Sequence, residues 1–198
     1  QPENRQEKLP YLGRKQIVPS ESSGSAKMDT IYHTIPAFSF INQDSMSVTE
    51  ETFRDKIYVA DFFFTTCPTI CPLMKAQMLR VYEAFRDEED LLILSHTIDP
   101  EYDTVGILRN FADRLGVSSQ KWHFVTGDKQ EIYDIGQSSY MVTAMEDRDE
   151  PGGYIHSGAF ILVDKERRIR GFYDGTNEKE VDRLIKDIPR LLREYEQN

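Results

Sequence analysis

The chain has 198 residues, with 24 Lys and Arg against 34 Asp and Glu, a formal charge of −10. That length fits one domain plus an arm, and the apolar share of 39% is that of a soluble globular protein. The acidic balance argues against a nucleic-acid partner, and no stretch approaches the roughly 20 apolar residues of a membrane span. A basic protein partner or the handling of cations remains compatible with it.

Residues 1–30 read as an arm. Leu9-Pro10-Tyr11-Leu12-Gly13 is a short apolar patch suited to docking, and Ser20-Glu21-Ser22-Ser23-Gly24-Ser25 has linker composition. The globular pattern runs from 31 to 198. Phe38 to Ile41 and Met46 to Val48 suggest a small hairpin, and Thr49 to Phe53 a helical turn. Ile57 to Phe64 is an apolar, β-branched and aromatic run that reads as a buried strand. A helix follows from Leu73 to Phe85, with Pro72 in its first turn. Leu91 to Ile98 is a second buried strand. Asp103-Thr104 caps a helix over 105–115, which Gly116 ends. Trp122 to Val125 is a short strand, and a helix reaches from Asp128 to about Ser138. Tyr140 to Met145 reads as a strand, followed by an acidic loop and Pro151-Gly152-Gly153. Ala159 to Val163 and Ile169 to Tyr173 form a second hairpin, and Asn177 to Tyr195 a terminal amphipathic helix. Strands alternating with helices imply an α/β fold with helices on both faces of the sheet. Reactive groups then belong at the carboxyl ends of the strands.

Both cysteines, Cys67 and Cys71, fall on one such strand-to-helix turn. The spacing C-x-x-x-C brings two thiols within reach of one small target. The positive end of the helix dipole favours their thiolate form. Two thiolates select a soft cation, Cu(I) above all, and they also form a disulfide. Two cysteines in a chain this long are not a disulfide scaffold. Cu(I) is content with two or three ligands, whereas structural zinc takes four.

Four histidines are available as a further ligand. His33, His96 and His123 read as packing residues, the latter two within strands. His156 follows the glycine-rich loop and precedes a core strand. Its residues alone favour a structural role, although a loop delivering an imidazole to a nearby site is chemically reasonable. Asp61 is a charge inside an apolar strand, which requires a partner or a place on the strand's less buried face. Asp103 fits an N-cap with Asp99 in the preceding turn, and Met74 and Met78 fit the core stripe of their helix.

The stretches T-T-C-P-T-I-C-P (65–72), T-I-D-P-E-Y-D-T (97–104) and I-H-S-G-A-F-I-L-V-D (155–164) resemble the Sco/SenC family of copper proteins. L-P-Y-L-G (9–13) is similar to bacterial members. The resemblance covers nearly all of residues 31–196 and implies a thioredoxin-like fold: a central mixed sheet, helices on both faces and an extra N-terminal hairpin. It places the family's two thiolate ligands on Cys67 and Cys71 and its imidazole ligand on His156, reversing the reading of His156 from residues alone. It implies a metallochaperone for Cu(I), and possible Cu(II), that serves the copper-bearing subunit of cytochrome c oxidase and takes its metal from a donor chaperone. The alternative it leaves open is a thiol–disulfide oxidoreductase acting on that subunit's cysteines. It also implies a protein anchored on the periplasmic side of the bacterial inner membrane. The chain begins at Gln1 rather than Met, so an anchor or export signal is expected to have been removed.

Overall fold

The computed structural model describes residues 8–20, 28–146 and 153–196. An N-terminal hairpin, β1 (Lys15–Pro19) with β2 (Met28–Tyr32), forms a two-stranded sheet of its own. A second hairpin, β3 (Ser39–Asn42) and β4 (Ser47–Thr49), leads through a 3-10 turn at Glu50–Phe53 into β5 (Ile57–Phe63). Then come α1 (Ile70–Ala84), β6 (Leu91–Thr97), α2 (Val105–Leu115), β7 (Trp122–Thr126) and α3 (Lys129–Asp134). A small pair, β8 (Ala144–Glu146) and β9 (Tyr154–His156), precedes the hairpin β10 (Ala159–Val163) and β11 (Ile169–Asp174) and the terminal helix α4 (Glu178–Glu196).

The main sheet has seven strands in the order β11-β10-β5-β6-β7-β3-β4. β5, β6 and β7 run parallel, and the flanking strands antiparallel, so the sheet is mixed. Every residue of β5 and β6 is buried. The reason is that both faces are covered, which is also why these strands read as continuous apolar runs instead of alternating ones. Phe63 packs against Phe111 of α2 and under Lys75 of α1. Its neighbour Phe62 points to the other face. There it meets Tyr140, and a methyl group on Gly136 would come within 3.2 Å of its ring.

That close approach accounts for one departure from the sequence expectation. The helix after β7 does not continue regularly to Ser138, and no strand begins at Tyr140. α3 passes instead into a π-helical turn, Ile135–Ser139, in which the Tyr140 amide donates to the Ile135 carbonyl at 2.9 Å. The wide turn lays the Gly136 backbone onto Phe62, and Met141, at φ +57°, reverses the chain towards β8. The tyrosine thus placed meets Tyr58 hydroxyl to hydroxyl at 3.0 Å inside the core.

The arm is docked. The Leu12 amide donates to the Ile169 carbonyl at 2.9 Å, along the outer edge of β11, and Leu9 is buried. Arg170, 1% exposed, gathers the Leu9 and Pro10 carbonyls, Asp164 and Glu194 of α4 around its guanidinium. The side chain of His33 donates to the Ser139 carbonyl at 2.7 Å and ties the segment after β2 to the π turn. Met74 and Met78 are fully buried in the core.

His96 and His123 are buried as the sequence suggests. His96 stacks on Phe62 at 4.6 Å, and the His123 Nδ1 accepts from the Asn42 amide at 3.1 Å. Burial lowers the pKa of each to about 4. Both rings are neutral in the fold and gain protons more readily when unfolded. Stability is therefore complete above the unfolded value of about 6.5 and falls as pH drops through the window from 6.5 to 4. The expected loss is roughly 3 kcal/mol for each ring at the bottom of that window. Urea titrations at pH 7 and pH 4.5 check it: an unchanged midpoint would mean that neither ring is held neutral.

Candidate metal centre

β5 ends at Phe63, and Thr65 and Thr66 turn the chain towards α1. Cys67 sits in that turn, with its amide donating to the Phe64 carbonyl at 3.2 Å, and Cys71 is the second residue of α1. Neither cysteine is in a disulfide, and both are buried, at 8% and 4% exposure. They lie in mutual hydrogen-bond contact, and a backbone hydrogen bond from Phe64 reaches Cys71. The helix start is unusual. Thr69, its N-cap residue, makes no capping hydrogen bond, and no acidic residue occupies the first turn. The Thr69 hydroxyl lies instead 3.6 Å from the Cys67 sulfur. The positive end of the helix thus points at the two sulfurs without a carboxylate to neutralise it.

The sequence reading that this dipole alone favours thiolate needs correcting. The contact with Cys67 and then burial push the Cys71 thiol well above the usual range, outweighing the Phe64 hydrogen bond and the nearby Lys75. In the metal-free protein this contact and burial favour the protonated form of Cys71. A thiophilic cation that replaces the proton removes the reason for the upward shift.

The turn is held from below by an aspartate that sequence reasoning assigned differently. Asp103 is not the N-cap of α2; Thr104 is, accepting from the Ile107 amide at 3.4 Å. Asp103 is fully buried and faces inward. It accepts from the Thr65 amide at 3.0 Å, from the Thr65 hydroxyl, and from the Thr97 hydroxyl at 2.5 Å. One carboxylate thus joins the ends of β5 and β6 to the start of α2. Burial raises its pKa, against these hydrogen bonds. Asp99 stays in the preceding turn, its carbonyl accepting the Asp103 amide at 2.8 Å. Asp103→Ala leaves the Thr65 and Thr97 donors unpaired and is expected to cost about 2–4 kcal/mol. The Thr65 amide should lose its hydrogen-exchange protection at the same time; a cost below 1 kcal/mol with protection retained would remove Asp103 from this role.

Beneath α1 lies a closed polar network. Asp61, in mid β5 and fully buried, pairs with Lys75 Nζ at 2.6 Å. The Ser95 hydroxyl donates to the same carboxylate, and its oxygen accepts from Lys75 at 3.2 Å and from the Trp122 indole at 2.9 Å. The third face of the ammonium covers the Phe63 ring at 4.1 Å. Asp61 is therefore a paired core charge and does not lie on a less buried face of the strand. Lys75 escaped the sequence reading. Its signal was a single cation on the apolar stripe that carries Cys71, Met74, Met78 and Val81, matched by the single anion in β5.

The structure places His156 at the end of β9, opposite Ala144; its side chain lies outside the described residues, as does the acidic loop 147–150. The backbone around it is informative. Gly158, two residues on, lies against the start of α1, where a methyl group would stand 3.7 Å from Ile70 Cδ1. Ile70 adjoins Cys71. Two residues span at most about 7 Å. Among the described residues no three His, Cys, Asp or Glu side chains come together, so the described donors are the two sulfurs.

Against known proteins, the SCO1/SenC family profile matches residues 26–193. A SCO1/SenC family lipoprotein from Bacillus anthracis is similar at 28% identity and TM-score 0.74, over 81% of this chain and 95% of that one. BsSco, a member of the Sco family of cytochrome c oxidase assembly proteins in which a disulfide switch has been identified, is 31% identical with TM-score 0.71, over 80% of this chain and 93% of that one. Arabidopsis thaliana ScoI, solved with copper bound, is 26% identical with TM-score 0.65, over 78% and 98%. With a mixed seven-stranded sheet, a dithiol at its carboxyl end and a family match over most of its length, this chain belongs to the SCO1/SenC family.

Proposed function

We propose that this protein is a copper metallochaperone that carries Cu(I) on the thiolates of Cys67 and Cys71 and the imidazole of His156. The observation that supports it is the contact between two reduced cysteines at the start of α1, where Thr69 provides no side-chain cap. Two soft sulfur donors suit Cu(I), and the family includes a copper-bound member. Two thiolates, a neutral imidazole and Cu(I) sum to one net negative charge, which the helix N-terminus offsets. The approach of Gly158 to Ile70 supports His156 as the third ligand, because it ties the β9–β10 segment to the cysteine helix. Cu(II) takes the same donors with an additional weak ligand. A site of low coordination suits transfer, since an acceptor's ligand binds before a donor ligand leaves. The acceptor in this reading is the dinuclear copper site of cytochrome c oxidase, loaded on the periplasmic side of the inner membrane, with a separate chaperone as copper donor. No helix among the described residues is long and apolar enough to cross a membrane.

The same thiol contact favours one other reading. Sulfurs this close oxidise to a disulfide with little movement, and a reductase acting on the oxidase subunit's cysteines would use Cys67 to attack and Cys71 to resolve. His156 separates the two. Titration of the reduced protein with Cu(I) against a competing chelator should show one copper per chain, and His156→Ala should weaken it by at least about tenfold. Unchanged affinity in that variant, with disulfide reduction intact, would favour the reductase.

A further inference from the structure

A second concavity lies away from the thiols, between the β3–β4 hairpin and the α3–π segment. Its volume is about 790 Å³, within the range of ligand and peptide sites. Phe38 and Phe40 form its apolar floor, their rings stacked 5.7 Å apart, and Ile135 adds to it. Four carboxylates line it, Glu50, Glu51, Glu131 and Asp134, and no Lys or Arg does. One of the four, Glu51, is paired with Arg54, while Lys129 reaches Glu101 outside the lining. Glu50 is fixed at the rim by the Phe38 amide, which donates to it at 3.2 Å. Among the described residues Glu131 and Asp134 have no cation partner.

A separate observation concerns the backbone. β4 is the last strand of the seven, pairing only with β3, so no further strand of that sheet covers its outer edge; Thr49 lines the pocket, with its amide donating to the Thr52 hydroxyl at 3.1 Å. An open edge next to an apolar trough accepts an extended chain, with main-chain hydrogen bonds giving affinity and alternate side chains giving specificity. A small organic cation would use the carboxylates and the rings but not the edge. Because β3 runs antiparallel to β7, Phe40 and Ser39 lie at the carboxyl end of the parallel strands, the same end of the sheet as Cys67. Three strand spacings, about 14 Å, separate the two sites.

We infer that this groove docks an extended segment of a partner protein in which apolar and basic residues alternate, the apolar side chains on the phenyl floor and the cations on the carboxylate rim. The inference stands on the groove and the edge strand and is independent of copper binding. It is therefore tested on reduced, metal-free protein.

The probe is a blocked hexapeptide of alternating leucine and arginine, followed by amide chemical shifts, with a leucine–glutamate peptide as control. Saturable shifts confined to Ser39, Phe40, Ser138 and Ser139 and to β4 are expected for the arginine peptide alone. Glu131→Lys combined with Asp134→Lys, both exposed and so neutral to folding, should weaken binding at least about tenfold. Ala37→Trp, which fills the groove without changing charge, should abolish it. Shifts scattered over the acidic surface and indifferent to Ala37→Trp would overturn the proposal. So would equal binding of the glutamate peptide, equal binding of free arginine ethyl ester, or the same shifts produced by raising the protein concentration alone, which would make the occupant a second copy.

Discussion

Lys75→Met is expected to lower folding stability by about 3–5 kcal/mol, the largest effect of any single change considered outside the thiols. The ammonium and the Asp61 carboxylate are 4% and 0% exposed, so neither is rescued by water when its partner goes. The methionine side chain fills much the same volume over Phe63 and cannot neutralise the carboxylate, and among the described residues Ser95 is left as the one side chain donating to it. Asp61→Leu should cost a similar amount through the stranded cation. The double variant Lys75→Met/Asp61→Leu should recover most of the loss, because replacing a buried pair with apolar groups of like size is often neutral or better. Urea unfolding of the two single variants and the double closes the cycle. Single-variant costs below about 1 kcal/mol would show the pair to be solvated and of little consequence. With total stability ordinarily 5–15 kcal/mol, either single change leaves a marginal protein. The network lies one helical turn below Cys71, so α1 and its thiol are held to β5 by the same contacts.

Cys71→Ser should reduce Cu(I) affinity by more than about 100-fold, beyond the range that outer-shell changes bring. A hydroxyl stays protonated where a thiolate would form, and oxygen is a poor match for a soft ion. Cys67→Ser should have a comparable effect, since each sulfur provides half of the only described donor pair. Chelator competition on the reduced variants gives the number, and far-ultraviolet circular dichroism shows that they are folded. Retention of wild-type affinity by either variant would sink the dithiolate site. The same variants cannot form the intramolecular disulfide, so they also lose any reductase activity; only the His156→Ala arm distinguishes the two readings.

Much of the fold was legible because burial on both faces leaves an unmistakable run. β5 and β6 announced themselves through Ile57–Phe63 and Leu91–Thr97, and the thiol turn followed from the strand's end and the Pro72 start signal. The turn after α3 was not legible. Its cause is the contact between Gly136 and Phe62, residues far apart in the chain, and no local pattern encodes that. Asp103 misled for the opposite reason. Its sequence neighbourhood suits a cap, but the adjacent Thr104 also suits one, and the choice was decided by Thr65 from the turn after β5 and Thr97 from the end of β6. The direction of the Cys71 shift was likewise a tertiary matter. The spacing showed that the second sulfur would be near, but not that its contact and the burial of the turn would outweigh the helix dipole.

The docking of the arm has a mechanical consequence. Arg170 pairs the Leu9 and Pro10 carbonyls with Asp164 and Glu194 near the start of β11, and the strand registers put that point beside Tyr58, at the opposite end of β5 from the thiols. The rest of β5, residues 59–63 and about 17 Å of strand, lies between. Tension applied ahead of Leu9 is therefore borne at the far pole of the domain by one guanidinium and the C-terminal helix. The cysteine turn is left unloaded and facing away from whatever pulls.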